Sequence, residues 1–186
     1  MNSKSLLVLS LASLAQAEGG MLWGPCPADP PSFAASAQNF NIQSLEGTWY
    51  EIERPSGFPM EKGLDCVTAR FTWRPDALIY KLGINFGSVK TETGELKNGY
   101  VLGEPGRDWT WMHARGEADG TMYMQAMMMP EGKLQVLKTD DFANYVVLGT
   151  CYNHMMGIQH ASGYWVFAKN RTLPQGTINE IRSFIG

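Results

Sequence analysis

The stretch that most constrains this chain is Leu45–Arg54, LEGTWYEIER. It reads as a tight Gly-containing turn running straight into a strand. Trp49, Tyr50 and Ile52 favour extended backbone, and Gly47 stands where the turn needs a conformation that other residues resist. A Trp at a strand's first turn, two residues after that Gly, is placed to plug the end of a sheet that curls around it. The remaining segments then read as the strands that complete such a sheet.

Cys66–Arg74 alternates, with Val67, Ala69, Phe71 and Trp73 on one face and Arg70 marking the other, so the aromatic set points inward. Ala77–Phe86, Trp109–Arg115, Thr121–Met129, Lys133–Lys138, Asn144–Tyr152 and Tyr164–Lys169 read as further strands, separated by turn signals such as Pro75-Asp76 and Asp119-Gly120. Gly87–Pro105 shows no sustained period. Asn39–Leu45 has room for one helical turn. Pro174 opens a helix whose Ile178, Ile181 and Ile185 share one face, suited to packing outside the sheet. Short-turn strands with one late helix predict an all-β fold: an eight-stranded antiparallel up-and-down barrel with one C-terminal flanking α-helix. The expected domain is single, spanning 18–186: an N-terminal arm over 18–44, the barrel over 45–169 and the helix over 174–185.

Met1–Ala17 carries Lys4, an apolar run from Leu6 to Leu14, and Ala15-Gln16-Ala17, the three regions of a secretory signal peptide in order. The run is too short to span a bilayer, and no later segment is long and apolar enough to be a membrane helix. The chain is therefore expected to be secreted and extracellular, with no integral membrane segment. A formal net charge of −3 argues against nucleic acid as a partner. Of three cysteines, Cys26, Cys66 and Cys151, two are expected to pair in an oxidising compartment, and the sequence leaves the pairing open.

A barrel of this size has room for one small ligand. Phe71, Trp73, Tyr80, Phe86, Trp109, Trp111, Tyr123, Tyr145, Trp165 and Phe167 are the expected inward residues. They fit either an apolar cavity or an ordinary packed core, and barrel architecture favours the cavity. Met122, Met124, Met127, Met128 and Met129 crowd one strand and its end, and their thioethers suit an adaptable lining or a sacrificial reductant, with Met129 the candidate. His154 and His160 lack further clustered ligands and read as surface residues, so no metal and no cofactor is expected. Glu51 and Glu53 share a strand face without a third group, and no catalytic motif occurs, so no catalytic residue is assigned. Cys66 falls on the outward face of its strand, with no adjacent His to activate it. Asn170-Arg171-Thr172 is an N-glycosylation sequon.

Gly47-Thr48-Trp49, Asp140-Asp141-Phe142 and Trp165–Lys169 together resemble the three signature motifs of the lipocalin family. Gly24–Pro27, GTWYEIER, Asn144-Tyr145 before Cys151, and WVFAKNRTLP resemble its apolipoprotein D-like subgroup, which includes invertebrate carriers of the crustacyanin type. The resemblance covers nearly all of the chain after the leader and is weakest between about Tyr80 and Gly106. It implies extracellular binding and transport of a small hydrophobic ligand (fatty acid, retinoid, sterol or pigment), with a lipid-antioxidant role through Met residues as an extension. It implies a Cys26–Cys151 disulfide, which leaves Cys66 free or intermolecular; the protein is expected to be a monomer or a homodimer, linked through Cys66 or not. It also implies a ligand contact for Trp165 and barrel closure by Gly47, Trp49 and the residue at 169. There the family has Arg, whereas this chain has Lys169, with Arg171 nearby as a possible helper. The alternatives are a lipocalin-type isomerase using Cys66 and a pigment-binding assembly subunit.

Overall fold

The structure, a computed structural model, describes residues 20–26, 40–54, 64–90, 96–97, 112–125 and 131–185. The expected leader, most of the arm, Trp109, Trp111 and Met127–Met129 lie outside the described residues. Among the described residues there are ten strands: β1 (Gly20–Trp23), β2 (Gly47–Glu53), β3 (Leu64–Trp73), β4 (Leu82–Lys90), β5 (Leu96–Lys97), β6 (Met112–Gly116), β7 (Thr121–Gln125), β8 (Gly132–Thr139), β9 (Tyr145–His154) and β10 (Gln159–Ala168). One α-helix, α1 (Gln175–Ile185), follows them. The helical turn before β2 is a 3₁₀ turn, Ile42–Leu45, capped by the Asn41 side chain, which accepts from the Gln43 N–H at 3.0 Å.

Eight strands close into an antiparallel barrel in the order β2-β3-β4-β6-β7-β8-β9-β10, with β10 returning to β2. The barrel strands pair in chain order, each with the next and β10 with β2, the arrangement that leaves no open edge within the barrel. β1 adds to β10 beyond its pairing with β2, and β5 adds to β4.

β4 begins at Leu82, not at Ala77. The backbone after β3 first closes a loop in which the Arg74 N–H donates to the Lys81 carbonyl at 2.7 Å and the Ala77 N–H donates to the Arg74 carbonyl at 3.2 Å. Tyr80 therefore sits in a connection instead of on a strand.

Two apolar clusters result. The inner one fills the barrel around Leu45, Trp49, Ile84 and Met122. The outer one lies under α1 and joins Tyr145, Val147, Val166 and Ala168 of the barrel wall to Ile181, with Phe184 and Ile185 packed against it. Ion pairs pin the helix at its rim: Arg182 Nε to Glu53 Oε1 at 2.8 Å, and Lys138 Nζ to Glu180 Oε1 at 2.7 Å.

Candidate functional site

The closed end of the barrel is built on the first signature. Gly47 takes φ +115°, a conformation that side-chain-bearing residues rarely adopt, so the backbone here favours glycine. Alternation then sends Trp49 inward, where it is fully buried. Its indole N–H donates to the Leu45 carbonyl at 2.7 Å, which ties the strand to the 3₁₀ turn beneath it. The Lys169 ammonium stands 3.9 Å from the Trp49 ring centroid and donates to the Glu46 carbonyl at 3.0 Å. Burial pushes the Lys169 amine below its ordinary pKa. Arg171 takes no part in this closure: it lies over the Tyr50 ring at 4.6 Å.

The turn between β8 and β9 seals the same end. Asp141 and Phe142 both adopt positive φ, 59° and 61°, and Phe142 packs on Phe40 with ring centroids 5.5 Å apart. The Thr139 hydroxyl donates to the Tyr145 carbonyl and accepts from the Phe142 N–H. Asp140 accepts from the Asn144 N–H, the Asn144 amide and the Tyr145 N–H at 3.0, 2.7 and 3.1 Å. Burial alone would raise the Asp140 pKa, but those donors outweigh it and hold the carboxyl below its ordinary value of 3.8. A folded-state pKa below the unfolded one means the stabilisation is fully present above the unfolded value. It is lost as pH falls through the folded value. Asp140→Asn is expected to cost about 1–3 kcal/mol near pH 7 and to flatten the loss of stability below about pH 4. Urea midpoints of both proteins at pH 3 and pH 7 check this.

Above that floor the wall is apolar. Phe71, Trp165 and Phe167 face the interior, and Trp73 and Phe86 pack against the same cluster while only partly buried. Three expected lining residues do not face inward. Tyr145 lies in the outer cluster under α1, because β9 is apolar on both faces and its other face carries Val146 and Leu148. Tyr123 points outward, since its neighbours Met122 and Met124 occupy the inner face; the Arg115 guanidinium lies 3.9 Å from its ring centroid. Tyr80 donates to Glu131 Oε1 at 2.7 Å, and the same carboxylate receives Arg115 Nε and Nη2 at 3.0 and 3.2 Å. This outer network pins the β3–β4 connection against the side of the barrel. Its hydrogen bond to Glu131 raises the Tyr80 pKa. In β6, Met112 and Ala114 face in and His113 does not, the reverse of the parity expected for that strand. Met122 and Met124 do face the interior, as the methionine-rich stretch suggested, and Met112 on β6, outside that stretch, joins them.

Glu51 and Glu53 do not share a face. A bulge between Val166 and Phe167 of β10 pairs Phe167 with Glu51 and Val166 with Glu53. Glu51 therefore follows Phe167 and Trp49 inward, with a side chain only 5% exposed, while Glu53 reaches the helix at Arg182. Arg54 Nε stands 3.3 Å from Glu51 Oε1, and its Nη2 stands 3.7 Å from Asp65 Oδ1.

Cys26 and Cys151 are disulfide-bonded, with Cα atoms 5.9 Å apart. Cys66 is free and exposed, at φ +51° beside the Asp65/Thr68 register shift of β3 and β4. His160 is buried, not a surface residue: its Nδ1 lies 2.9 Å from the Gly24 carbonyl, where β1 covers β10. Asn170, the sequon residue, is exposed just after β10. No group of metal-binding side chains occurs among the described residues.

No protein-family model matches the sequence. Apolipoprotein D of Cavia porcellus is 30% identical over 187 residues, covering 97% of this chain and 86% of that protein. Among solved structures, apocrustacyanin C2 superposes with a TM-score of 0.62 at 15% identity, covering 88% of this chain and 82% of that one. Insecticyanin of the tobacco hornworm Manduca sexta gives 0.59 at 18% identity, with coverages of 90% and 80%. The cockroach allergen Per a 4 gives 0.60 at 12% identity, with coverages of 87% and 86%. The structural likenesses carry the fold; the sequence match to apolipoprotein D, over nearly the whole chain, carries the kinship. The chain belongs to the lipocalin family, in its apolipoprotein D-like subgroup.

Proposed function

We propose that this protein is an extracellular carrier that binds one small hydrophobic molecule (fatty acid, retinoid, sterol or pigment) inside the barrel. The observation that carries the reading is a gradient along the interior. At the floor Leu45, Trp49 and Leu82 are fully buried. Further along β4, β6 and β7 the inward Phe86, Met112 and Met124 are only partly buried. An apolar wall that its own core does not cover is what an apolar ligand needs, worth about 25 cal/mol per Å² buried before the costs of association. The apolipoprotein D kinship supports the same class of ligand. A reducing role toward oxidised lipid would draw on the same thioethers, of which Met112, Met122 and Met124 face the interior.

An isomerase reading would require an activated thiol in the interior, whereas Cys66 is exposed. That exposure supports a reducible homodimer beside the monomer, which sedimentation with and without reductant resolves. The carrier reading is tested by titrating the secreted protein with a retinoid, a long-chain fatty acid, a sterol and a carotenoid while following Trp fluorescence. Saturable quenching at one ligand per chain by at least one class is expected. Quenching by none of them overturns the reading.

A further inference from the structure

Trp23 is the last residue of β1, and its side chain is 80% exposed. A single apolar residue at a surface needs no explanation. What sets this one apart is its direction. β10 begins at Gln159 and ends beside the floor, where Lys169 follows it, so Gln159 stands at the mouth. β2 pairs with β10 from Val166 to Ala168, near the floor. Nearer the mouth β1 takes over that edge, with Gly20 opposite Ser162 and Trp23 opposite Gln159. β1 therefore extends the barrel wall upward where β2 has left it.

Alternation gives the side on which Trp23 stands. Trp165 and Phe167 face the interior, whereas Tyr164, Val166 and Ala168 face outward. β10 pairs with β9 from Gln159 to Ala168 without a bulge, so Gly163 and Gln159 fall on the same face as Trp165. Residues directly opposite in an antiparallel pair share a face, which sets Trp23 on the interior side at the rim. On the outer side the chain turns at Gly24, φ +95°, and the Gly24 carbonyl meets Nδ1 of the buried His160 at 2.9 Å. The Gly24 N–H bond to the Ile158 carbonyl and the Cys26–Cys151 disulfide hold the backbone just after Trp23. An aromatic side chain thus stands on a fixed backbone, on the cavity side and largely uncovered. Such an anchor needs little further ordering when something binds against it.

We infer that Trp23 is the rim contact of the ligand site, that it covers the outer end of a bound molecule, and that it selects elongated apolar chains over short ones. This deepens the carrier reading and rests on it. At about 3.3 Å per residue the wall rises about 20 Å along β10 from Trp165 to Gln159, or about 15 Å along the axis of a barrel whose strands tilt by about 40°. Gly163, between them on the same face, adds no side chain to obstruct that path. Octadecenoic acid resting on Trp165 is long enough to reach the rim, and octanoic acid is not. Covering about a third of a Trp side chain corresponds to roughly tenfold in affinity.

Delipidated secreted protein and its Trp23→Ala and Trp23→Phe variants, titrated by calorimetry with the two acids, test this. Trp23→Ala is expected to weaken octadecenoic acid by about tenfold and octanoic acid by less than about twofold, with Trp23→Phe recovering most of the loss. Equal weakening of both acids, or of neither, overturns the assignment. The ring is exposed, so both variants are expected to keep the parent's melting temperature. The parent protein gives a check that needs no variant. Octadecenoic acid is expected to shield one Trp from acrylamide quenching and octanoic acid to shield none; equal shielding by the two overturns the assignment. Trp23→Phe assigns the shielded ring, because the protection disappears with Trp23 and a protection that persists places it elsewhere, which also overturns the proposal. Binding of neither acid by the parent overturns the rim assignment alone, since the titration with four ligand classes still decides the carrier reading.

Discussion

Trp49→Ala is expected to cost about 3–5 kcal/mol of stability, the range for removing a large buried aromatic. Three losses combine at one position. The indole is fully buried, so its apolar area returns to a cavity that the surrounding strands cannot fill without breaking register. Its N–H bond to the Leu45 carbonyl disappears, leaving that acceptor beneath the barrel floor without its donor. The Lys169 ammonium, already disfavoured by burial, loses the ring face that offsets its desolvation. For a domain whose whole stability is about 5–15 kcal/mol, that is a large share. Urea unfolding followed by far-UV circular dichroism measures it, and a loss under about 1 kcal/mol would mean the floor is held by the 3₁₀ turn alone. Lys169→Arg is the informative partner variant. A guanidinium can stack flat on the indole and has more donors for the Glu46 carbonyl, so a gain of about 0.5–1 kcal/mol is expected. An unchanged or lower melting temperature would show that the lysine fits its space better than the planar fork.

The floor was the most legible part of this chain because its signals are local and of several kinds. Gly47 marks the turn, Trp49 the plug, and the parity of Trp165, Phe167 and Lys169 sends the last residue to the same side as the ring. The wall was legible where one face was visibly polar. Arg70 fixed the orientation of β3, and Ala69, Phe71 and Trp73 do face in. Parity failed where both faces of a strand are apolar. β9 reads Tyr-Val-Val-Leu, and only the packing of α1 tells that Tyr145 and Val147 belong outside and Val146 and Leu148 inside. β7 posed the same choice between Tyr123 and its flanking methionines, and the outcome turns on Arg115, a residue of the neighbouring strand. The separation of Glu51 from Glu53 had no local signal at all. A bulge is a property of the pairing between β2 and β10, distant in sequence, and alternation along one strand cannot show it.

Replacing both Cys26 and Cys151 by Ser is expected to lower stability by about 3–5 kcal/mol. The two residues are 125 positions apart, so the bond closes a loop that contains most of the barrel. In the chain-entropy account a loop of that length restricts the unfolded ensemble by close to 5 kcal/mol, an upper figure because real denatured chains are already compact. The full effect appears only if the residues around Cys26 stay docked in the folded protein, and several contacts besides the bond keep them there. β1 pairs with β10 from Gly20 to Trp23, the Gly24 N–H donates to the Ile158 carbonyl at 2.8 Å, and the Cys26 N–H donates to Asn153 Oδ1 at 2.6 Å. The buried His160 ring meets the Gly24 carbonyl beneath them. With these contacts holding the segment in place, the bond acts on the unfolded state and the whole domain is stabilised. If they were too weak, the segment would instead detach on its own in the double Ser variant, and the barrel would lose little. The two cases separate cleanly in one experiment. Global destabilisation shifts the urea midpoint of the barrel's circular dichroism by an amount matching 3 kcal/mol or more. Local release leaves that midpoint within about 1 kcal/mol of the parent and raises hydrogen exchange only at β1 and the edge of β10 that it covers.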